Sequence, residues 1–236
     1  MQPKLSDTAE SSDAESGMVV ERRFTSSGKD PFDSFDWIEM DAEIRNPDGS
    51  MADTILGVKL PSGYAGVPGK VLAQKYLRKA GVPTHLRKVP EEGVPVWLQR
   101  SEPDTEKLDL LESDERFGGE TDGRELFRRL AGTWTYWGWK HGYFASEADA
   151  RSYFDEMCYI VASQRSAPNS PQWFNTGLHW AYGIEGPAQG HTYIDPVTGK
   201  LEYSTNAYEH PQPHACFIQS VGDSLVGGKD SIMGLW

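Results

Sequence analysis

The chain has 236 residues, 23 basic and 35 acidic, for a formal net charge of −12. That balance argues against unassisted binding to nucleic acid or to an anionic membrane surface, because like charges repel. Hydrophobic residues make up 38% beside 24 Gly and 15 Pro. The expectation is one large or two small domains with much loop, and no apolar run long enough to span a membrane.

Residues 1–30 are rich in Ser, Asp and Glu and read as a disordered acidic tail. The N-terminus lacks the basic-then-apolar pattern of a secretory signal, and two cysteines are too few for a disulfide-stapled secreted domain. A cytoplasmic, reducing location is therefore expected. A mostly helical domain is expected over residues 31–165, opening at Phe32, Phe35 and Trp37. Ile55, Val58 and Leu60 alternate up to Pro61, which predicts a short strand or extended arm. Val71 to Lys79 reads as a two-turn helix stopped by Gly81. Residues 82–122, with their Pro, Gly and acids, read as a long linker.

Two stronger helices follow. Leu126, Leu130, Trp134 and Trp137 recur near the 3.6 period, with Thr121 or Asp122 as the cap and Gly142 as the stop. Ser146 with Asp149 resembles a relaxed capping box, and Phe154, Met157, Cys158 and Val161 give the second helix an apolar face. The short connection predicts antiparallel packing. Cys158, on that face, reads as a core residue.

Residues 166–236 read as the start of a further domain. Pro168 to Asn175 breaks out of the second helix. Residues 183–213 form a polar insertion, in which Thr192-Tyr193-Ile194 and Leu201-Glu202-Tyr203 flank Asp195-Pro196-Val197-Thr198-Gly199, a hairpin signal. Ala215 to Val221 reads as a short buried strand with Asp223 and Ser224 at its end. The chain stops at Trp236 inside what reads as the next helix, so a fragment of a larger protein is expected.

Chemistry concentrates in two places. One is Cys216, in the run Pro213-His214-Ala215-Cys216-Phe217-Ile218-Gln219-Ser220. The other is the turn Asn169-Ser170-Pro171-Gln172-Trp173-Phe174-Asn175, whose hydroxyl and backbone N–H groups suit an anion. On residue type alone each has a plainer reading. A lone cysteine entering an apolar strand is most often a small core residue, and Ser170 before Pro171 is a common turn starter. His210, His214 and Cys216 offer zinc-compatible atoms without a fourth ligand. Trp134, Trp137 and Trp173 suit a core better than a base-stacking platform.

The run Ser166-Ala167-Pro168-Asn169-Ser170-Pro171-Gln172-Trp173-Phe174-Asn175-Thr176-Gly177, followed by Tyr208-Glu209-His210-Pro211-Gln212-Pro213-His214-Ala215-Cys216-Phe217-Ile218-Gln219-Ser220-Val221, resembles the adenosylcobalamin-dependent class II ribonucleotide reductases. Trp137-Gly138-Trp139-Lys140-His141-Gly142-Tyr143-Phe144 is similar to their N-terminal region, and Ala73-Gln74-Lys75-Tyr76-Leu77-Arg78 more distantly so. The resemblance covers roughly residues 30–236. It implies an α+β or α/β fragment, in which an N-terminal helical layer leads into the first strand of a ten-stranded α/β barrel. It also implies reduction of the ribose 2′ position of a ribonucleoside diphosphate, with adenosylcobalamin as cofactor and thioredoxin-type reduction. Cys216 matches one member of the reducible cysteine pair, Ser170 a substrate-phosphate contact, and Ala215 a backbone contact to substrate. Asp223 and Ser224 match the start of an effector site for a deoxynucleotide or ATP.

The chain departs from the family pattern by lacking the radical cysteine with its Asn and Glu partners, the second reducible cysteine, the C-terminal reducing tail and most of the cobalamin pocket. The expectation is therefore no turnover by this chain alone, with the missing barrel supplied by further sequence or a second chain. The oligomeric state stays open, a homodimer among the candidates. The alternatives to an enzyme fragment are a non-catalytic binding or regulatory module built from the reductase N-terminus, and a small zinc-binding domain.

Overall fold

The computed structural model describes residues 17–45, 48, 50–188, 190–195, 198–216 and 220–235. Its core is a two-stranded hairpin covered by helices. Strand β1 (Trp37–Arg45) pairs antiparallel with β2 (Met51–Pro61), Ile38 opposite Leu60 and Met40 opposite Val58. In β1, Glu39 and Asp41 face solvent while Ala42 is sealed; in β2, Val58 and Leu60 are buried on either side of exposed Lys59. Period two thus gives each strand one core face. The register shifts between Met40 and Ala42. There Gly57 takes φ +65° and its N–H donates to Asp41 Oδ1 at 2.9 Å, so the backbone of β2 bulges where a Cβ would be strained.

Helix α1 (Val67–Lys75) begins four residues before the position predicted from sequence. Pro68 sits in its first turn, where a missing N–H costs nothing. Helix α3 (Gly123–Lys140) starts as its sequence dictates. Asp122 Oδ1 accepts the Arg124 N–H at 2.9 Å, and Glu125 Oε2 accepts the Asp122 N–H at 3.1 Å. Helix α4 (Glu147–Ala162) is capped by Ser146, whose Oγ accepts the Asp149 N–H at 3.2 Å. The two helices pack side by side, with Leu126, Phe127, Leu130 and Ala131 meeting Phe154, Cys158 and Val161 in one cluster with β2 and α1. A fully buried Leu or Phe in such a cluster contributes about 1.5–3 kcal/mol. No helix among the described residues is long and apolar enough to cross a membrane.

Residues 82–122 depart from the linker reading. β3 (Val82–Pro83) pairs with β6 (Phe117–Gly118), and β4 (Leu86–Lys88) with β5 (Ser101–Pro103), with the single turn α2 (Thr105–Leu108) between β5 and β6. Val94, Leu98 and Leu108 are buried, Trp97 lies edge-on to Phe154, and Trp139 Nε1 donates to Gly93 O at 2.6 Å. The apolar anchors are few and far apart in sequence, so no periodicity announces them. The segment folds because it wraps the helical layer.

The first sixteen residues of the expected acidic tail lie outside the described residues. From Gly17 the chain runs as an arm along α4. Met18 exchanges backbone hydrogen bonds with Tyr143 and Ala145, Val20 N–H donates to Asp149 Oδ1 at 2.9 Å, and Phe24 stacks on Tyr159 with ring centroids 5.2 Å apart. Its anchor is Glu156, which accepts the N–H groups of Phe24 and Thr25 and the Thr25 hydroxyl.

After α4 come two short helices, α5 (Ser170–Asn175) and α6 (Leu178–Tyr182), then the hairpin β7 (Thr192–Ile194) and β8 (Leu201–Tyr203), with Tyr193 opposite Glu202. Pro196 and Val197 of its turn lie outside the described residues. The fold is thus mixed α/β with four two-stranded sheets and no closed barrel among the described residues. The buried strand expected over 215–221 is not seen at its described positions. Ala215, Cys216, Ser220 and Val221 are exposed and unpaired in any sheet, while residues 217–219 lie outside the described set. An isolated strand has no partner for its backbone groups and cannot stand alone.

Candidate functional site

The most strongly built polar feature was not visible from spacing. Arg129 falls on the apolar stripe of α3, between Leu126, Leu130 and Thr133, and is sealed from solvent. A buried guanidinium is tolerated only when paired and fully hydrogen-bonded. Its Nε donates to Glu120 Oε1 at 2.7 Å, and its Nη1 to Thr176 O at 2.6 Å. Its Nη2 donates to Trp173 O at 3.1 Å and to Tyr76 O at 3.3 Å. Glu120 in turn accepts the Arg78 N–H at 2.7 Å and the Tyr182 hydroxyl at 2.8 Å. Burial, reinforced by the Glu120 charge, pushes the Tyr182 phenol well above its ordinary value, so it stays a donor. One ion pair therefore fixes the end of α1, both ends of the α5–α6 step and the start of α3. The sequence signal was a basic residue on a buried helix face.

This node positions the turn that carries Ser170. Asn169 caps α5, its Oδ1 accepting the Gln172 N–H at 3.2 Å, and Trp134 Nε1 holds Gln172 Oε1 at 2.9 Å. Ser170 is exposed, with its Oγ 3.2 Å from the Tyr76 hydroxyl. The Tyr76 ring packs on both Trp173 and Phe174, each at 5.4 Å between centroids. The backbone donors expected at this turn are partly committed: Pro171 has none, and the N–H of Gln172 closes the cap.

The chain's two cysteines have opposite environments. Cys158 is fully buried and its thiol is pushed well up by burial, which makes it inert. Cys216 is exposed beside exposed Ala215. Asp223 and Ser224 are exposed too, in a loop closed by Gly222 N–H to Asp230 O at 2.7 Å and Ile232 N–H to Ser224 O at 3.1 Å, just before the short α7 (Ile232–Leu235). Among the described residues no hydrogen bond links Ser170 to Ala215, Cys216, Asp223 or Ser224. The His210 ring is stacked on Tyr193 at 3.6 Å, and among the described residues no group of three or more His, Cys, Asp or Glu is placed to hold a metal.

A cleft of about 740 Å³ lies between α3 and the β7–β8 hairpin, walled by Tyr136, Trp137, Lys140, Trp180, Tyr193 and His210. Its rim reaches Pro211 and Pro213. Three residues span at most about 11 Å, so Cys216 cannot lie further than that from the Pro213 wall. Burial lowers the affinity of His179 and His210 for protons, although Glu209 opposes this, which favours the neutral rings. Tyr136 donates to Glu91 Oε2 at 2.8 Å, and Lys140 also pairs with Glu91. Aromatic faces, neutral imidazoles and a volume in the range of small-ligand sites suit a planar, hydrogen-bonding ligand.

Residues 39–164 match the family model described as class II vitamin B12-dependent ribonucleotide reductase. The chain is similar to the vitamin B12-dependent ribonucleotide reductase of Bradyrhizobium diazoefficiens, 57% identical over 219 residues, 93% of this chain and 17% of the relative. The corresponding enzyme of Agrobacterium fabrum is 56% identical over the same shares. That of Rhodopirellula baltica is 28% identical over 210 residues, 89% of this chain and 17% of the relative. The chain thus spans about 17% of the length of these relatives.

Proposed function

Because the chain belongs to the class II vitamin B12-dependent ribonucleotide reductases, we propose that it forms the N-terminal part of an enzyme that makes 2′-deoxyribonucleoside diphosphates from ribonucleoside diphosphates for DNA synthesis and repair. The thiol of Cys216 is one of two that supply the electrons. In the overall balance two thiols become one disulfide, and their two electrons and two protons convert the ribose C2′–OH into C2′–H and water. A thioredoxin-type reductant then reopens the disulfide in the cytoplasm. Ser170 holds a substrate phosphate oxygen, Ala215 lets the nucleotide approach the backbone closely, and Asp223 with Ser224 begin the effector site for a deoxynucleotide or ATP. The two-halved ten-stranded barrel is completed by further polypeptide.

One observation carries this reading. Of two cysteines, one is locked in the core and the other is exposed, three residues after Pro213 of the cleft lining. The same contrast accounts for the expected inactivity of the chain alone, since a disulfide needs a second accessible thiol and Cys158 is not one.

Adenosylcobalamin, the cofactor of this reading, supplies radical chemistry when bound. The described residues do not fit it. The cleft beside β7 has the volume of a drug-sized site, and a corrin with its nucleotide tail and adenosyl group is larger. The corrinoid is therefore assigned to the remaining polypeptide.

The test is Cys216→Ser in the complete reductase. Multiple turnovers of ribonucleoside diphosphate are expected to cease while substrate still binds. Unimpaired multiple turnover would remove Cys216 from the electron-donating pair.

A further inference from the structure

We propose that Tyr76 is a positioning residue for phosphate recognition, its phenol fixing the Ser170 hydroxyl so that the serine proton points outward. The inference rests on the reading of Ser170 as a phosphate contact. Three features of the geometry support it.

First, part of the turn's backbone is already committed. Pro171 has no N–H, the Gln172 N–H donates to Asn169 Oδ1 at 3.2 Å, and the Trp173 N–H donates to Asn169 O at 3.2 Å. A side-chain donor therefore adds to the few amides left for an incoming phosphate oxygen, and the exposed Ser170 hydroxyl is placed to be that donor. An exposed serine hydroxyl turns freely among its staggered positions. A donor recruited from that ensemble loses entropy on binding unless something holds it first.

Second, Tyr76 is itself held from three directions. It is the C-terminal cap of α1, and its N–H donates to Leu72 O. Its carbonyl accepts from Arg129, the same guanidinium that grips Trp173 O and Thr176 O on either side of the end of α5. Its ring lies on Trp173 and Phe174. The phenol is thus delivered to Ser170 from 94 residues away by a rigid frame. Arg129 sets both the tyrosine and the helix that carries the serine.

Third, the donor order follows from the groups. A phenol is a better hydrogen-bond donor than an alkyl hydroxyl, so Tyr76 donates and Ser170 Oγ accepts. That leaves the serine proton for an anionic oxygen, and a hydroxyl that accepts one hydrogen bond donates a stronger one. Two hydroxyls in series thus serve the phosphate oxygen as a relay.

Tyr76→Phe keeps the ring packing and removes the relay. In the complete reductase, Ser170→Ala is expected to raise the nucleotide KM about 10-fold. Tyr76→Phe is expected to raise it about 3- to 10-fold, each raising KM more than it lowers kcat. The double variant is expected to match Ser170→Ala, because the tyrosine acts through the serine. If Ser170→Ala raises KM and Tyr76→Phe leaves it unchanged, the role of Tyr76 is overturned and the phosphate reading stands. If the two effects multiply in the double variant, Tyr76 acts independently and the relay is wrong. If Ser170→Ala leaves KM unchanged, the phosphate reading fails and the relay fails with it.

Discussion

Arg129 Nε lies 2.7 Å from Glu120 Oε1, and both side chains are sealed from solvent where α1, α3, α5 and α6 converge. Removing one partner strands the other charge in the interior. Glu120→Leu or Arg129→Met alone is expected to destabilise the chain by about 3–5 kcal/mol. The pair Arg129→Met with Glu120→Leu is expected to cost less than the sum of the two singles. Urea unfolding of the four proteins of the cycle measures this, and additive costs would show that the two charges do not depend on each other.

Gly132 on α3 lies against the Trp180 indole, where a Cβ would sit 2.2 Å from Cη2. The indole cannot withdraw freely, because its Nε1 donates to Leu98 O at 2.9 Å. Alanine favours a helix over glycine by about 1 kcal/mol, so the sign of Gly132→Ala is informative. Overpacking is expected to win, with a net loss of about 1–3 kcal/mol and a changed near-UV signal from Trp180. A stabilised variant would mean that α6 shifts without cost.

The arm along α4 is expected to release in acid. Burial alone would raise the Glu156 pKa, but hydrogen bonds from the Thr25 hydroxyl and from the N–H groups of Phe24, Thr25 and Arg23 outweigh it, and the net shift is downward. A carboxylate lowered on folding stabilises above its unfolded value, about 4.3, and loses that contribution as pH falls through the folded value. Amide protection of Phe24 and Thr25, corrected for intrinsic exchange, is expected to hold from pH 7 to 5 and to fall below about pH 4. Glu156→Gln should lower protection already at pH 7. Protection that ignores both pH and this substitution would remove Glu156 as the anchor.

Native alkylation separates the two thiols. Iodoacetamide is expected to modify Cys216 within minutes and to leave Cys158 untouched until denaturant is added. Peptide mass mapping reads the sites, and equal labelling of both in the native chain would contradict the burial of Cys158.

Local rules explain what the sequence made legible. Asp122 and Ser146 cap α3 and α4 as their positions imply, and Leu126 and Leu130 face the core. Thr192 to Ile194 pairs with Leu201 to Tyr203. Strand β1 lies in the span expected to be mostly helical, although Ile38, Met40 and Ala42 alternate with Glu39 and Asp41 as a half-buried strand does. The wrapped segment 82–122 carried no comparable signal, its pairings being two or three residues long. At the candidate site, Cys216 and Ser170 could be named from motif, but the partners that hold the turn could not.

The sequence by itself determined where α3 and α4 begin, where α3 stops and where the β7–β8 strands lie, because caps and tight turns depend on groups a few residues apart. Only the tertiary structure decided that Arg129 and Glu120 share one dry node, that Cys216 is exposed where a buried strand was expected, and that Tyr76 reaches Ser170 across 94 residues. Burial and long-range hydrogen bonding depend on which surfaces meet, and water leaves a charge or a thiol only when packing from distant parts of the chain replaces it.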